Sequence, residues 1–406
     1  MKILLLNDDF PPHGNSSVAT VAAGLVKEYA HMGQTVMMLT THRTTVSPEI
    51  IRTDTVISLP IDRASRPNFA CLGAPNIAAM LEQEIAAIKP DVVHAHNIHT
   101  YLTYDALRIA KNHTQKVFIT LHDVMSFSYA RLNTDRFLND DDCHWTLMDH
   151  LKRSGLQYNP WRNRGIRNIF KKYVTAIFSV SDSLKQALIQ NGMENVTVAH
   201  NGIDTTDWHA TAAEVKAFQD KHGLTGRKTI LFGGRLSVDK GSRPVLKALE
   251  ELSKKDPSVL LMIIGDPKRW QLIADPSKEE LLRKHCIVIG WLDRKDMCIA
   301  TFAADVITTP SLCLDCFPTL NLEAMAAGKP VVGTIFGGTP EVVEHQKTGF
   351  ICDPRNTKEY TGYLAKLLND QALRTKMGDA GRARVENEFS VAKQTALYLE
   401  SYAKAG

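Results

Sequence analysis

The sequence has no apolar run long enough to cross a bilayer; its longest, such as Val259 to Ile264, suit buried strands. It has no large charge imbalance either. A net +4 over 406 residues is too small to argue for a nucleic-acid partner, and none is expected. Seven cysteines, an odd number scattered through apolar stretches, form no disulfide framework and read as reduced core thiols. Cys313-Leu-Asp-Cys316 is a lone CxxC without the second ligand pair of a zinc site. At 44% hydrophobic and 23% charged residues the composition excludes a disordered chain. The start, Met1 to Leu6, shows no cleavage site and is cut short by Asn7-Asp-Asp9. It reads as a first strand, not a signal peptide, and points to the cytoplasm.

What the sequence does have is one pattern played twice. Short apolar runs at Ile3–Leu6, Val36–Leu39, Val92–Ala95, Val117–Leu121, Ile177–Val180 and Val196–Ala199 alternate with helical stretches at Val18–His31, Ile77–Ile88 and Leu184–Gln190. Strands apolar on both faces with helices between them predict a parallel, doubly wound α/β sheet. The pattern restarts at Ile230–Phe232 and continues through Leu260–Ile264, Ile287–Ile289, Val306–Thr308, Val331–Val332 and Phe350–Cys352. Helices are expected there at Pro244–Leu252, Lys278–Lys284, Leu320–Ala327 and Lys358–Leu368. The polar stretch from Asn201 to Arg227 reads as the linker. Two domains follow, 1–204 and 205–388, and a last helix near Val391–Ala403 has no strand after it.

Open parallel sheets bind ligands beyond the carboxyl ends of their strands, so chemistry is expected directly after strands. After the first strand, Gly14 permits close backbone approach ahead of a helix amino terminus; a plain turn with a serine cap fits equally. After Ile230–Phe232 come Gly233-Gly234-Arg235 and Lys240-Gly241. Two cations on such a loop suit a diphosphate, although two solvated surface cations are the alternative. Pro318 suits a helix start and Gly328 with Pro330 its end. Glu323 lies in an apolar, alanine-rich helix where a carboxylate needs partners, and ligand hydroxyls would serve. Asp315 stands on the loop before it. His94, His96 and His99 invite a metal reading, but no acidic ligand completes the set, and loop or acceptor-side histidines are expected instead.

Taken in order, Gly-Arg, Lys-Gly, Asp315-x7-Glu323-Ala-Met-Ala-x-Gly-x-Pro-Val-Val and Gly337-Gly-Thr-Pro-Glu341 resemble the retaining glycosyltransferases of family 4. Asp91-Val-Val-His-Ala-His96, Thr120-Leu-His122-Asp and Asn201-Gly-Ile-Asp204 extend the resemblance over nearly the whole chain. It implies a GT-B architecture, with two Rossmann-like domains facing a cleft and a terminal helix (389–406) crossing back to the first domain. It implies that Arg235 and Lys240 hold the donor diphosphate, with Gly234 beside them, while Glu323 bonds the ribose. Asp315 and the backbone of Phe317, Pro318, Thr319 and Leu320 would meet the sugar and phosphate. The backbone at Trp291 would read the base, His122 would line the sugar site, and Gly14 would approach the phosphate. No protein-bound cofactor or metal is implied; a nucleotide-diphosphate sugar is the substrate. Two positions depart from the family: Asp315 stands where Glu is usual, and Gly14-Asn15 where Gly-Gly is usual.

The function expected is transfer of a sugar to a hydroxyl acceptor in cell-envelope glycan or glycolipid synthesis. An epimerase of the same fold and a non-catalytic sugar-nucleotide-binding subunit are the rivals. On the acceptor side, Leu151 to Tyr173 carries seven Lys and Arg and no acid. Arg162, Arg164, Arg167 and Lys171, with the stripe Ile166, Ile169 and Phe170, suit a peripheral anionic membrane face or a lipid-linked acceptor. A solvated basic face packed by its apolar stripe is the alternative.

Overall fold

Apolar runs ending in small or polar residues become strands buried on both faces. The computed structural model describes residues 1–14, 16–62, 67–234, 236–273 and 276–405. They fall into two compact units: 1–132 and 142–202 with the terminal segment from Val391, and 133–141 with 203–390.

The first unit is an eight-stranded sheet of β1 (Lys2–Leu6), β2 (Thr35–Arg43), β3 (Ile51–Arg52), β4 (Val56–Ile61), β5 (Val92–Ala95), β6 (Lys116–Leu121), β7 (Ala176–Ser179) and β8 (Val196–Val198). Its order is β3-β4-β2-β1-β5-β6-β7-β8, parallel except for the short β3. The order reverses between β1 and β5, which makes their carboxyl ends the switch point. The helix Ser17–His31, capped by the Ser16 hydroxyl, packs Val21, Leu25 and Tyr29 on Ile3, Leu5 and Val36. The terminal helix Val391–Lys404 joins the same core through Val391, Tyr398 and Tyr402.

The second unit has β9 (Lys228–Gly233), β10 (Val259–Ile264), β11 (Cys286–Gly290), β12 (Val306–Thr309), β13 (Val331–Thr334) and β14 (Gly349–Cys352). All pair in parallel in the order β11-β10-β9-β12-β13-β14, so its switch point lies between β9 and β12. The helices Ser242–Lys255 and Thr357–Asn369 cover the sheet, burying Leu249, Leu252, Tyr360 and Leu364 against Ile230, Leu261 and Val306.

Two features differ from the sequence expectation. The polar stretch read as linker contains the helix Ala212–Lys221, started by a Thr211/Glu214 capping box and anchored by buried Phe218 against the helix Arg294–Ala303. Strand β4 includes Pro60, which argues against a strand in a sequence; here it lies next to the sheet edge, flanked by only the two-residue β3. All seven cysteines are free thiols, and six of them are buried.

Candidate donor site

The loops after β9 and β12 meet at the switch point of the second unit. The Leu312 N–H donates to the Asp239 carbonyl at 2.7 Å. Gly241, at φ 83°, lies so close to Pro310 that an added Cβ would sit 2.0 Å from its carbonyl oxygen. Only glycine fits that crossing. It brings the Lys240 ammonium onto the Asp315 carboxylate as a largely buried ion pair, and the Ser311 hydroxyl also donates to Asp315 at 2.8 Å. Gly337, at φ 66°, packs on the backbone of Asp315 from the other side, and the Gly338 N–H donates to its carbonyl at 2.9 Å. Gly234 ends β9 at φ 104°, its N–H bonded to the Ile264 carbonyl. Arg235 lies outside the described residues.

The helix Thr319–Ala326 starts just beyond Asp315, after Pro318. Its first turn has N–H groups with no acceptor inside the helix. Asn321, fully buried, accepts from Thr309 at 2.8 Å and donates to Thr339 at 3.3 Å, which pins the helix to β12 and the Thr339–Val342 turn. On its outer side, Gly378 and Gly381 of the helix Gln371–Glu388 let the two helices touch. Phe317 is buried, whereas Thr319 and Leu320 are half-buried. Trp291, just after β11, is 59% exposed.

Glu323 is the electrostatic oddity. Its half-buried carboxylate has no hydrogen-bond or ion-pair partner among the described residues. Burial pushes its pKa up from the ordinary 4.5 to about 7, opposed only in part by the nearby Arg294 cation. A carboxylate so placed is a ready acceptor for two donors. Sequence reasoning missed Arg294 and Ser311; neither lies in a motif, and only the loop crossing brings Ser311 to Asp315.

In the first unit, Gly14 has an internal reason to be glycine: a Cβ there would lie 2.4 Å from the Asp9 side chain. The Asp9 carboxylate accepts from the N–H and hydroxyl of Ser16, ahead of the first long helix. Asp8, buried after β1, accepts N–H bonds from Thr100, Tyr101 and Leu102 and closes the switch point. His122 follows β6, its Nε2 paired with His96 Nδ1 at 2.9 Å; burial and the His96 ring hold its pKa well below the usual range.

Two expectations need correction. His94 is a core residue, not an acceptor-side one: it is fully buried between the Tyr402 hydroxyl at 2.5 Å and the Thr120 hydroxyl at 2.8 Å. Among the described residues no group of three His, Cys, Asp or Glu is arranged to hold a metal. Arg162, expected on an exposed basic face, is 1% exposed. It shares the inner face of the helix Arg162–Tyr173 with Ile166 and Phe170, donates to Ser128, Met125 and Asn163, and stacks over Tyr129. Arg164 and Lys171 are exposed; Arg167 is half-buried.

Comparison with known proteins agrees with this arrangement. Residues 18–207 match the model of Glycosyltransferase Family 4, and residues 214–384 that of Glycosyl transferases group 1. A glycogen synthase of Mycobacterium tuberculosis is 26% identical over 315 residues, 77% of this chain and 69% of its own length. An uncharacterized glycosyltransferase of Methanocaldococcus jannaschii is 24% identical over 97% of both chains. The Anabaena protein HepE, solved in complex with UDP, superposes over 100% of both chains with a TM-score of 0.71 at 20% identity, a likeness of fold. With both halves matched and two parallel-sheet α/β units in sequence, the chain belongs to the family 4 glycosyltransferases of GT-B fold.

Proposed function

We propose that the protein is a retaining hexosyltransferase, moving a sugar from a nucleotide-diphosphate sugar to a hydroxyl of a cell-envelope glycan or lipid-linked acceptor. One observation carries the reading: at the switch point of the second unit, a lysine–aspartate pair stands before a helix whose fifth residue is a half-buried glutamate with no partner among the described residues. In this reading Lys240 exchanges its Asp315 partner for the donor diphosphate and steadies the charge that develops as the diphosphate leaves. Asp315, released, accepts hydrogen bonds from the transferred sugar. Glu323 accepts from the ribose hydroxyls, and the N–H groups at Thr319 and Leu320 face phosphate oxygen. The acceptor hydroxyl attacks the anomeric carbon on the face the diphosphate leaves, and the departing phosphate takes its proton. No protein nucleophile is involved. His122 lines the sugar site, and the first unit serves the acceptor side.

Incubation with candidate nucleotide sugars and hydroxyl acceptors, followed by NMR of the product's anomeric proton, tests the reading. Retained configuration supports it; an inverted product, or epimerised donor with no transfer, would overturn it.

A peripheral membrane contact belongs to the same proposal. Among the described residues no helix is long and apolar enough to cross a membrane. Exposed Leu147, Met148, Leu151 and Trp161 lie in the same stretch as exposed Arg164 and Lys171, a combination suited to an anionic lipid face. Flotation with anionic vesicles that is released by salt would support it; equal flotation with neutral vesicles would not.

A further inference from the structure

The first unit contains a cavity of ≈ 380 Å³ lined by Phe127, Trp145, His150, Arg167 and Gln190 among others. It shares only Arg167 with the residues given a role above. The polar atoms its lining leaves unused are donors. The Trp145 indole N–H is buried, on a side chain 4% exposed, and has no acceptor among the described residues. His150, 9% exposed, has an equally unpartnered Nδ1. The proton on its ring can be placed. The Asn163 amide donates one hydrogen to the Phe127 carbonyl at 2.6 Å and faces His150 Nε2 with the other at 3.4 Å. Nε2 is therefore the accepting nitrogen, and Nδ1 carries the hydrogen. Burial, aided by the Arg162 charge, pushes the His150 pKa down to about 4, so the ring stays neutral with that single donor.

Two further donors line the same cavity. The Arg167 guanidinium, lying over Gly192, spends one N–H on the Asn191 carbonyl at 3.4 Å and has no ion-pair partner among the described residues. The Gln190 side chain, exposed to solvent, accepts from the Cys143 N–H at 2.8 Å through its amide oxygen and has its NH₂ available as a further donor. Among the described residues no Asp or Glu lines the space. Buried donors without acceptors cost free energy that a ligand oxygen would recover.

We propose that this cavity is a binding site for a phosphate ester, separate from the donor site. Its oxygens would take the Arg167 fork as a charge-assisted pair, with the Trp145, His150 and Gln190 hydrogens completing the shell. The ester could belong to a soluble sugar or polyol phosphate or to a lipid headgroup.

The test uses the full ¹⁵N-labelled chain. Trp145→Phe identifies the Trp145 indole resonance among those of the five tryptophans. Glycerol 3-phosphate and inorganic phosphate are titrated with glycerol as the neutral control. In parallel, sedimentation is compared between phosphatidylcholine vesicles with and without phosphatidic acid. Saturable movement of the Trp145 resonance by a soluble phosphate assigns the site to that source. Sedimentation that needs phosphatidic acid, persists in Arg164→Gln/Lys171→Gln and falls in Trp145→Phe assigns it to a lipid. Sedimentation lost with Arg164 and Lys171 but unmoved by Trp145→Phe belongs to the exposed basic face and counts as no response of the cavity. In either arm Arg167→Gln should weaken binding by at least about tenfold, and Arg167→Lys by less, with thermal stabilisation by nucleotide unchanged. The proposal is overturned if glycerol acts as well as its phosphate, if neither arm responds, or if Arg167→Gln binds as the unaltered protein does.

Discussion

If Glu323 accepts hydrogen bonds from the ribose, nucleotide binding must expel a proton. The free carboxyl titrates near 7 because burial disfavours its charge. Two donated hydrogen bonds stabilise the charged form and should return its pKa toward the ordinary 4.5. At pH 6 roughly 0.9 of the free protein is then protonated and almost none of the complex, so about 0.9 proton leaves per nucleotide bound. Only the ionised form accepts both bonds, so affinity should rise with pH through the free-state pKa and level off above it. Between pH 5.5 and 8 the gain is about 30-fold. Calorimetry with UDP and GDP in buffers of different ionisation enthalpy reads the proton count directly. The nucleotide's own phosphate also titrates, and Glu323→Gln removes the protein's share while leaving that background. Equal proton release from Glu323→Gln and the unaltered protein at pH 6 would refute the reasoning.

Three further outcomes follow from the same geometry. Asp315→Asn should lower kcat by roughly 100-fold while nucleotide affinity holds or improves, because Lys240 loses a competitor for the diphosphate; parallel loss of both would break the division of roles. Lys240→Ala should cost about 2–4 kcal/mol in kcat/KM, and near-normal transfer by the folded variant would remove the lysine from the site. Gly241→Ala, strained at φ 83° and blocked by the Pro310 carbonyl, should lose at least about 1–3 kcal/mol of stability, seen as a lower Tm together with weaker nucleotide binding.

The sequence told most about elements whose signal is local. Val259 to Ile264 is apolar at every position, and it is a strand buried on both faces. Pro318 and Gly328 bracket their helix as turn chemistry requires, since one presets φ and the other tolerates a positive one. Less legible were elements decided by neighbours. The helix Ala212–Lys221 has one buried residue, Phe218, and its polar remainder looked like linker until the helix Arg294–Ala303 was there to receive it. Site residues divide in the same way. Lys240, Asp315 and Glu323 stand in motifs, but that Asp315 is held by Lys240 and Ser311, while Glu323 has no partner among the described residues, depends on a crossing of loops some 70 residues apart. Arg162 looked like its cationic neighbours, and only the carbonyls of the 125–128 loop make it a core residue.

The histidines show where a residue's chemistry is settled by what packs beside it. His94 and His96 alternate along β5 and read alike in sequence, yet their surroundings give them different work. His94 is locked by the Tyr402 hydroxyl, which also bonds the Tyr29 hydroxyl at 2.7 Å, so the terminal helix is tied through one oxygen to the sheet and to the first long helix. Tyr402→Phe leaves a buried ring nitrogen and a buried hydroxyl without that partner. The expected loss is about 1–3 kcal/mol, measured by denaturant unfolding of the full chain. His96 instead spends its Nδ1 on His122 and keeps a buried Nε2 with no partner among the described residues. If the two histidines were interchangeable, His94→Gln and His96→Gln would destabilise alike and leave turnover alike. The different partners argue that the first substitution acts on stability, through the terminal helix. If His122 lines the sugar site as proposed, the second should act on turnover, through the orientation of His122, with little change in unfolding free energy.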